Sequence, residues 1–247
     1  MKRMMLSLTL LTVTPWVAAE SIDEIADVHP RGEVEVSNVA GTVNVEGWDR
    51  DQVKVDGELG RGAERLEFRA DGRHTLVKVI YPKSSRRSGG TDLVIRIPLA
   101  SRLSVNAVSA DIDVSGVEGA QRLQSVSGNV TTEARGEDVR IETVSGDLSL
   151  RGHGDPALVS ITTVSGDVDL RDLHGEVNVQ SVTGDVDLDS RDLERLRIRT
   201  TNGDVEARAG MADRGTIEME AINGDLRLDI LGDIDAEFDI ETFNGSI

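Results

Sequence analysis

The 247-residue chain contains no cysteine. Disulfides, thiolate metal sites, cysteine nucleophiles and a lipid-modified N-terminal cysteine are therefore excluded. Aromatic residues make up 2% of it: three Phe, two Trp and one Tyr. No core of stacked rings can be built from so few. Proline is scarce at 5, while glycine reaches 25, which fits neither a collagen-like nor a proline-rich chain. Positive charge is the minority: 27 Lys and Arg face 45 Asp and Glu, for a net charge of −18. Nucleic acid is a poor partner for such a chain, because phosphate binding needs clustered Lys and Arg. Only 38% of the residues are hydrophobic. They are regularly spaced, however, and that argues against disorder.

Residues 1–19 have the form of a secretory signal peptide. Lys2 and Arg3 form a basic start, Met4 to Val13 is a short apolar run, Pro15 breaks it, and Val17-Ala18-Ala19 offers small residues for cleavage before Glu20. The apolar run is too short to span a bilayer, and no later segment is a transmembrane candidate. The expectation is a periplasmic or secreted domain, residues 20–247.

Internal repetition dominates that domain. Gly128, Gly146, Gly166, Gly184, Gly203, Gly224 and Gly245 recur at steps of 18–21 residues, with Ala110 one step earlier and an outlying copy at Gly41. Five residues before each stand Val36, Val105, Leu123, Ile141, Ile161, Val179, Ile198, Met219 and Ile240. Two after stand Val43, Ile112, Val130, Leu148, Val168, Val186, Val205, Leu226 and Ile247. The position three before is always small or short, from Asn38 and Ala107 to Thr242. Seven before is apolar except at Gln121. Each copy reads as two short alternating strands meeting at a Ser-Gly-Asp or Asn-Gly-Asp corner.

Two all-β architectures fit: a parallel β-solenoid (β-helix-like) with one copy per coil, and an antiparallel meander of hairpins, since Asn-Gly is a strong hairpin turn. Parity favours the solenoid. The position two before the Gly is Val39, Val108, Val126, Val144, Val164, Val182, Thr201, Ile222 and Phe243. A hairpin would turn this row outward, whereas a solenoid corner can be expected to shelter it. Residues 48–100 interrupt the repeat with strand-like runs at Val53–Val55, Leu66–Phe68, Leu76–Ile80 and Leu93–Ile97, and read as an insertion or cap at the N-terminal end.

The corners Thr143-Val144-Ser145-Gly146-Asp147, Thr163-Val164-Ser165-Gly166-Asp167, Ser181-Val182-Thr183-Gly184-Asp185 and Thr200-Thr201-Asn202-Gly203-Asp204 resemble those of a bacterial adhesin-like family of unknown function, built of β-strand repeats. The resemblance spans about residues 32–247. It implies a β-helix-like fold and an envelope location, and it supplies no catalytic motif.

The chemistry-bearing candidates are few. The aspartates after the corners could stack into a calcium column of Asp147, Asp167 and Asp185, with Asp169 and Asp187 beside it; the simpler account has each accept hydrogen bonds from turn amides. The nonapeptide spacing of calcium-binding β-rolls is absent. His29, His74, His153 and His174 are scattered, and no Gly-x-Ser-x-Gly elbow occurs. Lys83, Arg86 and Arg87 form a basic loop that could contact an anion. Trp48 and Tyr81 are the aromatics suited to stacking on sugar. The expected role is a non-enzymatic envelope scaffold or adhesin-like binding module without cofactor, partnered by an envelope protein or a glycan. A glycan-active β-helix enzyme and a calcium-dependent adhesin are the alternatives.

Overall fold

The computed structural model describes residues 21–82, 89–232 and 236–247. Their regular structure is all β. The strands are β1 (Ser21–Asp27), β2 (Glu33–Trp48), β3 (Gln52–Glu58), β4 (Arg65–Ala70), β5 (His74–Ile80), β6 (Thr91–Pro98), β7 (Arg102–Ser115), β8 (Gln121–Ser127), β9 (Val130–Ala134), β10 (Val139–Ser145), β11 (Leu148–Gly152), β12 (Pro156–Ser165), β13 (Val168–Arg171), β14 (His174–Thr183), β15 (Val186–Asn202), β16 (Val205–Asn223), β17 (Leu226–Ile230) and β18 (Ala236–Asn244).

From β7 onward each strand pairs in parallel with its counterpart in the next coil. Ile141 of β10 lies between Leu123 and Ile161, and Leu148 of β11 between Val130 and Val168. This is a parallel β-solenoid and not a hairpin meander. Every coil has a first arm before the corner glycine and a second arm after it. In both arms alternate side chains point inward, as the two-residue period of a strand requires. Ile141, Ile161, Val179 and Ile198 line the inside of the first arm, and Leu150, Leu170, Val186 and Ala207 that of the second; all are buried. The core is thus a column of aliphatic rows squeezed between two arms. Each fully buried Val, Leu or Ile adds roughly 1.5–3 kcal/mol. Gln121 and Thr132, polar residues in two apolar rows, are buried and satisfy each other: the Gln121 amide donates to the Glu133 carbonyl at 2.8 Å, and its Oε1 accepts from the Thr132 hydroxyl at 2.6 Å.

The corner glycines are needed for two reasons. From Gly128 to Gly245 they hold φ between 122° and 158°, a region closed to most side chains. A Cβ on Gly166 would also lie 2.2 Å from the carbonyl oxygen of Gly146 in the coil before. At Ala110 the strand runs through without a positive φ, so β7 tolerates a methyl group where later coils do not. The variation in repeat length is absorbed at the opposite edge, where register shifts fall at Gly175/Glu176 and between Ser190 and Arg195.

At the N-terminal end the chain doubles back. On one side of β2, β5 lies in parallel along its first half and β6 along its second, and β7 lies in parallel on the other side. Antiparallel strands finish that end: β4 on β5, β3 on β6, and β1 on β3. Asp71-Gly72 turns β4 into β5, with the His74 amide donating to the Asp71 carboxylate.

Candidate binding face

The outward residues of the first arm build the most unusual surface of the molecule. Directly before the corner, the row Val39, Val108, Val126, Val144, Val164, Val182, Thr201, Ile222 and Phe243 points to solvent. Val126 is 50% exposed, Val164 46% and Phe243 83%. The corner was expected to shelter this row. It does not, because the chain bends one residue later, at the Ser-Gly step. The residue three before the glycine (Ser125, Thr143, Thr163, Ser181) is the last to point inward. Parity then sends its successor out, as it would in a hairpin. The solenoid is correct, but it does not bury these valines.

Successive coils are about 4.8 Å apart, so the row from Val108 to Phe243 is a ridge roughly 35 Å long. A parallel row, Asn106, Gln124, Glu142, Thr162, Gln180, Arg199, Glu220 and Glu241, stands two residues earlier. The two rows flank a shallow groove. One stretch of it, from Asn106 to Thr162, encloses about 390 Å3. The next, from Thr162 to Phe243, encloses about 570 Å3. Small residues form its floor, and methyl groups form one wall.

Beyond the ridge lies the aspartate column. Each side chain there accepts the backbone N–H of the equivalent residue one coil on. Asp147 accepts from Asp167 at 3.1 Å, Asp167 from Asp185 at 3.0 Å, Asp185 from Asp204 at 2.8 Å, and Asp204 from Asp225 at 2.8 Å. Asn129 holds the same place, accepting from Asp147. The last acceptor bond, from the Ser246 amide, holds the Asp225 carboxyl below the usual carboxylate range. Among the described residues no group of three or more His, Asp or Glu is arranged to hold a metal ion.

On the second arm, Asp169 and Asp187 share a row with Glu206. Arg171 forks onto Asp169 at 2.7 and 2.8 Å. Asp187 is pushed above its ordinary value. Desolvation is the largest cause, and Glu206, Asp169 and Asp185 add to it against the pull of Arg171.

The remaining sequence candidates are dispersed. Lys83, Arg86 and Arg87 lie outside the described residues. Trp48 donates its indole N–H to the Gln52 carbonyl at 2.7 Å and carries the Arg50 guanidinium over its ring at 4.9 Å. The Tyr81 hydroxyl is 3.1 Å from that of Thr91. His29 accepts the Arg31 amide, and His74 lies near Glu33 and Glu35. His153 is 3.2 Å from Glu133, and His174 lies 3.9 Å from Asp192. No two of these histidines share a site.

No helix among the described residues is long and apolar enough to cross a membrane. No curated protein matches the chain. Solved structures of similar outline include a Bacteroides fragilis protein provisionally named an adhesin, 13% identical, covering 93% of this chain and 98% of its own, with a TM-score of 0.48. A Parabacteroides distasonis protein provisionally named a lipid-binding protein is 10% identical over 92% of this chain and 96% of its own, with a TM-score of 0.35. A second P. distasonis protein, provisionally named an adhesin, is 10% identical over 93% and 98%, with a TM-score of 0.34. The family model described as Toastrack DUF4097 matches residues 32–247, the whole stack of corners with strands β2 to β6 at its N-terminal end, and the chain belongs to that family.

Proposed function

We propose that this chain is an exported, non-enzymatic binding module of the cell envelope that grips an elongated partner along the valine ridge and its groove. The basic start, short apolar run and Val-Ala-Ala site of residues 1–19 support export. The observation that carries the binding reading is the ridge itself. Single exposed aliphatic residues are ordinary, but an apolar line of this length, unbroken from Val108 to Val182 and interrupted only by Thr201 before Ile222 and Phe243, is of the kind that marks interaction surfaces. Strand geometry does not require it. Thr201 fills the same row with a β-branched side chain of nearly the same shape, so threonine would satisfy the backbone at every corner. About half of each of these valines is exposed, and that surface is available to a partner.

A photo-crosslinking residue at position 164, compared with one at position 169 on the second arm, tests this reading in intact envelopes. Cross-linked adducts at 164 that are absent at 169, and lost when Val144, Val164 and Val182 are all changed to threonine at unchanged melting temperature, support it. Equal adducts at both positions, or none, overturn it.

A further inference from the structure

The first arm carries a second feature, apart from the ridge. One outward row reads Ser104, Arg122, Arg140 and Ser160 on four successive coils, in exact register. Two guanidinium groups therefore stand one strand spacing apart, about 4.8 Å at the backbone, with a hydroxyl on either side. Arg102 stands at the edge of the same trough, which encloses about 250 Å3 and is lined also by Leu158, Glu33 and Asp138.

The arginines elsewhere on this surface are neutralised. Arg195 pairs with Glu176, Arg197 with Glu218, and Arg199 with Glu218 and Glu220. Among the described residues, Arg102, Arg122 and Arg140 form no ion pair. Acid is not lacking in a chain with 45 Asp and Glu. Of the nearby carboxylates, Glu142 accepts from Gln124 at 2.9 Å and Glu33 lies 4.0 Å from His74, while Asp138, at the edge of the trough, pairs with none of the three arginines. Stacked like charges without an offsetting acid repel each other, and an oxyanion set between them would relieve that while accepting charge-assisted hydrogen bonds from both forks.

We infer that Arg122 and Arg140, flanked by the Ser104 and Ser160 hydroxyls and backed by Arg102, form a binding site for an oxyanion: a carboxylate, sulfate or phosphate carried on an exposed ligand. The site shares no residue with the ridge and stands whether or not the ridge binds a partner.

The test is R122Q/R140Q against the unaltered mature chain, each melted in chloride and in inorganic phosphate or sulfate at equal ionic strength. The unaltered chain should show a saturable rise in melting temperature with phosphate or sulfate, and the double variant should lose it, with affinity down at least tenfold. In chloride alone the variant should melt at the same temperature or higher, because it has lost the repulsion. An equal anion response in both chains overturns the inference, since that is general salting. A variant that melts lower in chloride and keeps the anion response also overturns it, since the arginines are then structural. Oligogalacturonate and phosphatidylglycerol vesicles as further probes separate a carboxylated glycan from a lipid headgroup. Saturable, arginine-dependent binding of either supports the site and names its source.

Discussion

Gly166→Ala perturbs the stacked corners directly, in the middle of the stack. Gly166 has φ of 123°, and an added Cβ would sit 2.2 Å from the carbonyl oxygen and 2.7 Å from the carbonyl carbon of Gly146. Those atoms are backbone and cannot swing aside. The coils are held at this spacing by the Gly146 amide on the Ser165 carbonyl (3.2 Å) and the Leu148 amide on the Asp167 carbonyl (2.9 Å). Making room means stretching both hydrogen bonds, at about 1 kcal/mol each. Holding alanine at this φ costs a further ~1–3 kcal/mol. The expected loss is roughly 3–5 kcal/mol. Gly154→Ala is the control. Its φ is 95°, yet nothing lies within 4 Å of the added methyl group, so only the backbone cost of about 1–2 kcal/mol remains. Urea unfolding followed by circular dichroism should separate the two midpoints by about 1 M, taking a slope of about 2 kcal/mol per molar. Coincident midpoints, or a larger loss from Gly154→Ala, would refute close stacking as the reason for the glycine column.

Three further outcomes are expected. Ile161→Asp sets a carboxylate in a fully buried row and should cost about 3–5 kcal/mol, whereas Thr162→Asp, one residue on and exposed, should stay within about 0.5 kcal/mol; equal losses in thermal melts would mean the inward register is wrong. Asp167→Asn keeps the acceptor for the Asp185 amide, as Asn129 does in its own coil; losing charge assistance (about 1 kcal/mol) roughly offsets the relieved repulsion from Asp147 and Asp185 (about 0.8 kcal/mol each at 5 Å in water), so the net change should be under about 1 kcal/mol, and a saturable, calcium-specific rise in melting temperature that this variant abolishes would instead establish the calcium column. Asp187 has a raised folded pKa, so the folded state binds its proton more readily and loses stability as pH rises from the unfolded value near 3.9 through the raised one; Asp187→Asn should therefore stabilise at pH 7 and make no difference below about pH 3.5, and melts across pH that show the reverse order would contradict this.

The fold was legible in the sequence because a solenoid writes its geometry into columns. Ile141, Ile161 and Val179 recur at one offset because they occupy one inward row, and Gly146, Gly166 and Gly184 recur because one carbonyl blocks a Cβ in each coil. The exposure of Val144 and Val164 was not legible. An apolar column has the same appearance in sequence whether it points in or out, and only the position of the bend, after Ser145 rather than at Val144, decides it. The aspartate column was legible as a column, but its bonding to the following coil needed the stacking distance. The β1 strand and the doubling back at the N-terminal end depend on long-range antiparallel pairing that no local period announces. Arg122 and Arg140 sit at the same offset from Gly128 and Gly146, yet their lack of a carboxylate partner emerges only when every neighbouring row is placed.

A repeat of this kind separates what folding requires from what it leaves free. The inward rows are aliphatic but for satisfied polar residues such as Gln121, the corner is glycine in every coil after Ala110, and the residue after it offers an acceptor to the coil above. The outward rows carry no such demand, and most of them in this chain vary freely: the row of Gln124, Glu142, Thr162, Gln180 and Arg199 holds a different chemistry at almost every coil. Against that variation two rows are conspicuous. The ridge keeps Val at Val108, Val126, Val144, Val164 and Val182 without interruption, although exposure makes a hydroxyl in place of a methyl group the more soluble choice. The arginine row keeps two like charges adjacent in a chain rich enough in acid to separate them. Both run along the solenoid axis on the first arm, so a single elongated partner lying on that face could meet the apolar ridge and the arginine trough at once. Binding through many weak, evenly spaced contacts suits a rod, because each coil adds an increment and no single coil has to hold the partner alone.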